Sequence, residues 1–198
     1  MFLMSVGALV GIIVGGVILL LIIVCIAWAV STFNKLVGLR NRVKNALAQI
    51  DVQLKKRFDL IPNLVETVKG YTKVEEGIFT KFAEARGSYT KASQAGDVEG
   101  MAKATESLGS VVSRLLVVSE QYPELKSDKH YTQLMADLKD LERQISYARQ
   151  FYNDTVQMYN NKVEMFPSSI IANMKKFEVA KFFEIQNEEQ REAPKVQF

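Results

Sequence analysis

The 198 residues carry 25 Lys and Arg against 22 Asp and Glu, a net charge of +3, too weak a field to point to nucleic acid. Cys25 is the sole cysteine and His130 the sole histidine, which excludes an intrachain disulfide and a conventional zinc site built by this chain alone. No Gly-rich phosphate loop, no Cys-xx-Cys and no nucleophile beside a histidine is present.

Residues 1–34 contain no Lys, Arg, Asp, Glu or His. Leu3 to Val30 is almost wholly Leu, Ile, Val, Ala and Gly; as a helix it would run roughly 40 Å, against a hydrocarbon core of about 30 Å. This predicts a transmembrane anchor over residues 1–34. A cleaved signal peptide is the rival reading, with Ala27-Trp28-Ala29 resembling a cleavage site. The basic start is missing, however, and the apolar run exceeds the about 7–15 residues of such a signal, so the anchor is expected to be retained. Lys35, Arg40, Arg42 and Lys44 follow, with no acid before Asp51. Positive residues beside a span stay inside, so the N-terminus is expected outside and the rest in the cytoplasm of a bacterial inner membrane, where this basic run would meet anionic lipid. Gly7, Gly11 and Gly15 form two overlapping Gly-xxx-Gly units, a flat strip on which a second membrane helix can pack. Glycine is also common in membrane helices that pack on nothing.

Beyond the anchor roughly 165 residues remain, enough for one domain with its own core. Leu36, Val43, Leu47, Ile50, Leu54 and Ile61 recur at helical steps, and no linker separates them from the anchor. Pro62 predicts a kink or short break, with Asp59 capping a restarted helix. That second run is expected to reach about Lys91, its apolar face including Leu64, Val68, Tyr71, Ile78 and Phe82. Ser93 to Gly100 reads as a turn in which Asp97 caps the next helix, running through Met101, Leu108, Val112 and Leu115 to about Gln121, where Pro123 ends it. Ser127 or Asp128 starts the longest soluble helix, along which Leu134, Leu138, Leu141, Ile145, Ala148, Tyr152, Val156, Tyr159 and Val163 recur at threes and fours until Phe166-Pro167. Long helices on short turns predict an all-α fold: one transmembrane helix continuing into an antiparallel bundle over residues 35–167. In the tail, residues 168–198, Ile170, Ile171, Met174, Phe177, Phe182, Phe183 and Ile185 are too apolar for water. They are expected to pack on protein in preference to a membrane surface, and the polar stretch after Gln186 to fray.

The blocks Leu39-Arg40-Asn41-Arg42-Val43, Gln49 to Arg57 and Phe58-Asp59-Leu60-Ile61-Pro62-Asn63-Leu64-Val65, then Tyr122-Pro123-Glu124-Leu125-Lys126, Leu141-Glu142-Arg143-Gln144-Ile145, Tyr152-Asn153, Tyr159-Asn160 and Phe166-Pro167 closely resemble the LemA family of bacterial membrane proteins. The resemblance extends over essentially the whole chain. One small departure is Ala46-Leu47-Ala48, where the family usually has a bulky residue. The resemblance implies an outside N-terminus, one span and a cytoplasmic helical bundle, with no established catalysis. It also implies a link of such proteins to a membrane zinc metallopeptidase.

Two polar clusters stand out. Asp51, Lys55 and Asp59 share a helix face, with Gln53, Lys56, Arg57 and Asn63 nearby. Paired carboxylates can do acid–base work, but the interleaved cations favour ion pairing, and Asp51, Gln53, Arg57, Asp59 and Asn63 read best as a docking surface. The second cluster is Glu142, Arg143, Arg149, Tyr152, Asn153, Tyr159 and Asn160. Its inward Tyr and Asn are expected to pair with polar groups of the first helix and fix register. The expected function is a non-catalytic, membrane-anchored scaffold forming homo-oligomers, without catalytic, cofactor or metal residues. The alternative is an accessory subunit of a membrane metallopeptidase.

Overall fold

A computed structural model of the chain describes residues 6–71 and 76–184. It is all-helical, with α1 (Val6–Lys69), α2 (Glu76–Ala95), α3 (Val98–Glu120), α4 (Pro123–Ser127), α5 (Lys129–Glu164) and α6 (Ser168–Met174), and no strand among the described residues. Expectations for Ile185 and for the stretch after Gln186 lie outside the described residues.

α1 runs 64 residues without interruption, Pro62 included, so the expected break is not there. Pro62 forfeits the bond to the Phe58 carbonyl, at a cost of about 3 kcal/mol. Phe58, Ile61, Leu64 and Val65 flank it at 0–3% exposure, each stabilising the helix by about 1.5–3 kcal/mol of burial, which outweighs the loss. Asp59 therefore caps nothing and stays exposed, 3.7 Å from Arg86. The second run ends at Lys69 and a new helix starts at Glu76.

The helices divide between two compact units. The first comprises the described residues up to Arg42 with Gln157–Ala180. Its part of α1 exposes every large apolar side chain from Leu9 to Val30, Trp28 the least of them, and burial begins at Thr32 and Leu36. This is a helix long and apolar enough to cross a membrane. Further along, Phe177 packs edge-on to Phe33 with centroids 6.0 Å apart, beneath the Arg40 guanidinium at 5.3 Å. α6 closes with a Schellman motif: the Phe177 amide donates to the Ala172 carbonyl and that of Lys176 to Asn173. Lys176 takes the left-handed position at φ 52, where most helices place glycine.

The second unit comprises the described part of Val43–Val156 and the residues from Lys181. Val43, Ala46, Ile50, Leu54, Phe58, Ile61, Leu64 and Val68 form the buried stripe of α1. The stripe passes through Ala46 at 1% exposure, while the expected Leu47 is only half-buried. Also buried in this unit are Ile78 and Tyr89 of α2, Met101, Leu108 and Leu115 of α3, and Leu138, Ile145 and Tyr152 of α5, with the Phe58 and Tyr89 rings 5.1 Å apart. Tyr71 is not in this core; it is exposed and its hydroxyl donates to Asp128 Oδ2 at 2.7 Å.

Two turns in this unit follow the expected chemistry. After α2, Gly96 adopts φ 66 and the Asp97 amide donates to the Ala92 carbonyl, a second Schellman motif. The same Asp97 then starts α3, its carbonyl accepting from the Met101 amide. A Cβ at Gly100 would lie 2.5 Å from Asp97 Oδ2 and 3.0 Å from the Ala92 Cβ, so any larger residue there requires the carboxylate to swing away. Asp128 starts α5, its Oδ1 accepting from the Tyr131 amide at 2.9 Å.

Because Lys176 bears a Cβ in a left-handed conformation, Lys176→Gly relieves about 1 kcal/mol of backbone strain, partly offset by the greater freedom of glycine in the unfolded chain. Guanidinium unfolding in mild detergent should show a net gain of a few tenths of a kcal/mol, whereas Gly96→Lys should lose about 1 kcal/mol.

Candidate functional site

The polar residues of α1 fall into those that hold the second unit together and those left in solvent. Asp51 is in the first group. Its carboxylate accepts from the Tyr89 hydroxyl at 2.6 Å and the Ser93 hydroxyl at 3.0 Å on α2, and sits 2.7 Å from the Lys55 ammonium. Partial burial raises its pKa, but the bonds from Lys55, Tyr89 and Ser93 outweigh that and hold the carboxyl below its ordinary value. Burial, followed by the bond to Asp51, pushes the Tyr89 phenol far above its ordinary range.

Arg57 is the most deeply buried cation described, at 5% exposure. Its Nε lies 2.6 Å from Glu142 Oε1 on α5. Burial lowers its pKa, Glu142 opposes that, and the nearby positive charge of Arg149 adds to the fall. Arg149, a further two turns along α5, is half-buried, with its guanidinium 5.1 Å from the centre of the Phe183 ring. Its Nε has no hydrogen-bond partner among the described residues, and neither has Gln53 Oε1.

The rest of the α1 set does not converge. Asp59 and Asn63 are exposed and Gln53 is half-buried. Lys35, Arg40, Arg42 and Lys44 are all exposed, as expected of a solvated basic run, with Arg40 stacked over Phe177. Gly7, Gly11 and Gly15 would each accept a Cβ with nothing within 4 Å, so within their unit the strip is bare.

In the second cluster it is Glu142, for which no partner was expected, that pairs with Arg57 of the first helix. The Tyr and Asn residues do otherwise. In the first unit the Tyr159 hydroxyl donates to the Glu178 carbonyl at 2.8 Å, and the Asn160 amide both donates to the Ala180 carbonyl at 2.9 Å and accepts from its N–H at 2.8 Å. In the second unit Tyr152 donates to the Lys181 carbonyl at 2.8 Å, and Asn153 Oδ1 accepts from the Phe183 amide at 2.8 Å. The partner is therefore the tail backbone, not α1. Residues 177–182 lie outside any regular element, so their backbone groups need side-chain partners, and asparagine offers both a donor and an acceptor. The Tyr-Asn pair repeated at a seven-residue interval was the available signal; nothing local identified its partner.

Chemically, these arrangements fasten segments. The Asp51 carboxylate is held ionised by three donors, and among the described residues no group of three or more His, Cys, Asp or Glu could hold a metal ion.

Three outcomes follow. Glu142→Gln leaves the Arg57 charge buried without a counter-ion; since the Glu142 side chain is still 40% exposed, the loss should be about 2 kcal/mol, below the about 3–5 kcal/mol of a fully enclosed pair, read from denaturant midpoints. Asp51 has a lowered folded-state pKa, so its contribution is complete above the unfolded value of about 3.9 and is lost as pH falls through the folded value. Asp51→Asn should thus flatten the acid limb of stability below about pH 4. Tyr89, with a raised pKa, contributes below about pH 10 and loses that contribution above it; Tyr89→Phe should flatten the alkaline limb.

The LemA family model matches residues 46–198. Among curated relatives, Magnetosome protein MamQ 2 of Paramagnetospirillum magneticum is 22% identical over 186 residues, covering 82% of this chain and 68% of that protein. Magnetosome protein MamQ of Magnetospirillum gryphiswaldense is 21% identical over 174 residues, covering 76% and 64%. Protein LemA of Metamycoplasma hominis is 24% identical over 139 residues, covering 70% and 63%. With the family model spanning well over half of its length, and with helices that place Asp51, Arg57 and Glu142 in internal ties, the chain belongs to the LemA family.

Proposed function

We propose that the chain is a single-pass protein of a bacterial inner membrane, with its N-terminus outside and an antiparallel helical bundle in the cytoplasm, and that it acts without catalysis as a self-assembling scaffold. The observation that carries this reading is the first part of α1. From Leu9 to Val30 nearly every apolar side chain is about half exposed or more, an arrangement costly in water and favourable in lipid. The glycine strip at Gly7, Gly11 and Gly15 is open for a second helix. The basic residues from Lys35 to Lys44 supply the inside bias. A link of two relatives to magnetosomes, stated in their names, is compatible with membrane residence and assigns no magnetosome role to this chain. Non-catalytic action is supported by the use of the buried charges as ties between helices.

The test is the mass of the particle extracted gently from native membranes, with its subunits identified. A multiple of 22.3 kDa with no second protein is expected, and Gly11→Leu should reduce it to the single-chain mass without changing the helical content. Retention of the assembly in Gly11→Leu would remove the glycine strip as the contact. A stoichiometric metallopeptidase in the particle would replace the scaffold reading with that of an accessory subunit. For orientation, Asn173→Cys in a Cys25→Ser background should react with an impermeant maleimide only after permeabilisation; reaction in intact cells would reverse the topology.

A further inference from the structure

The second unit contains an open groove of about 910 Å³ walled by α3 and α5, with Arg57 of α1 on its buried side. Val112, Leu116, Met135 and Leu138 make its surface largely apolar. The hydroxyls along it are already committed: Thr105 donates to the Met101 carbonyl, Ser110 to Ser107 and Ser113 to Gly109. The cationic side is different. Three cations, Arg57, Lys139 and Arg149, line the groove with two carboxylates, Glu106 and Glu142, so the lining keeps one positive charge in excess, and Glu142 Oε1 lies 2.6 Å from Arg57 Nε. Arg149 buries an Nε–H with no hydrogen-bond partner among the described residues, while Phe183 stacks on its guanidinium. Gly109 leaves the space over Arg57 open, since even a Cβ there would lie 3.8 Å from Nη2.

An incompletely neutralised guanidinium at the edge of an apolar cleft is costly unless an anion arrives. A carboxylate or phosphate matches its fork of donors, and the groove is of the size that takes small molecules. We propose that this groove binds a small amphiphilic anion, an apolar ring or chain bearing one carboxylate or phosphate, with its head on Arg149 and its body along Leu116, Met135 and Leu138. The binding is independent of self-assembly. Arg57 and Glu142 close the inner side of the site; Arg149 is the contact residue.

The test uses the full chain in lipid nanodiscs, carrying Cys25→Ser and Ser113→Cys, so that the only thiol stands in the groove. The rate of maleimide labelling is followed with four probes: 1-naphthylacetate, 1-naphthyl phosphate, the neutral 1-naphthaleneethanol and inorganic phosphate. One or both of the naphthyl anions should slow labelling saturably, and which of them does so selects the carboxylate or the phosphate head. The alcohol and inorganic phosphate should have little effect. Arg149→Gln should raise the half-protecting concentration by at least about tenfold, the size of one lost charge-assisted bond, and Arg149→Lys should recover part of it. Gly109→Leu, which keeps both arginines and fills the groove, should abolish protection, and decides the matter if Arg149→Gln fails to fold. No protection at about 1 mM of either anion, the weak limit of specific binding, would overturn the proposal. So would equal protection by the alcohol, or full protection in Gly109→Leu.

Discussion

Everything in the second unit depends on α1 staying a helix through Pro62. A break there would rotate the downstream residues about the helix axis and take Leu64, Val65 and Val68 off the stripe that begins at Val43. The backbone bond lost at Pro62 is small beside the apolar area that would be exposed. Continuity matters for a second reason. From Leu9 to Val30 the exposed side chains are apolar, and in lipid a helix is one of only two ways to satisfy every backbone N–H and C=O. One helix therefore carries two surface patterns. Its early residues are apolar on all sides, and its later residues are apolar on one side only.

The buried polar groups then determine which helices meet and in what register. Asp51 ties α1 to α2 through Tyr89 and Ser93, and Arg57 ties α1 to α5 through Glu142. Such ties add less to stability than an apolar replacement of the same shape, but a slipped register would leave a charge buried alone, a far larger penalty. The tail is fastened in another way. Its extended backbone cannot satisfy itself, and side chains of α5 supply the missing donors and acceptors in each unit. Apolar Phe177 and Phe183 bury themselves alongside, which is why so irregular a segment has a defined path.

Much of this was legible in the residue pattern. The uncharged opening run marked the apolar helix, and the threes and fours from Leu138 to Val163 marked α5. Gly96-Asp97 and Asp128 marked turns whose chemistry is local: a left-handed residue that favours glycine, and a carboxylate that caps an amide. The misreadings share a cause. At Pro62, Leu47 and Tyr71 local preference points one way and distant neighbours decide the outcome. Buried flanks held the helix through Pro62, close packing selected Ala46 over Leu47, and Asp128 drew the Tyr71 hydroxyl outward.

The sequence by itself determined the helical class, the apolar helix at the N-terminal end, the turns at Gly96-Asp97 and before α5, and the family, because each rests on periodicity, charge exclusion or motif within a short window. Only the tertiary structure decided who partners whom. That Asp51 meets Tyr89, that Arg57 meets Glu142 with Arg149 left short of a counter-charge, and that the Tyr-Asn pairs grip the tail instead of α1 are matters of residues brought together from 19 to 85 positions apart. No local pattern encodes such pairings; they follow from excluding water around groups that cannot be buried alone.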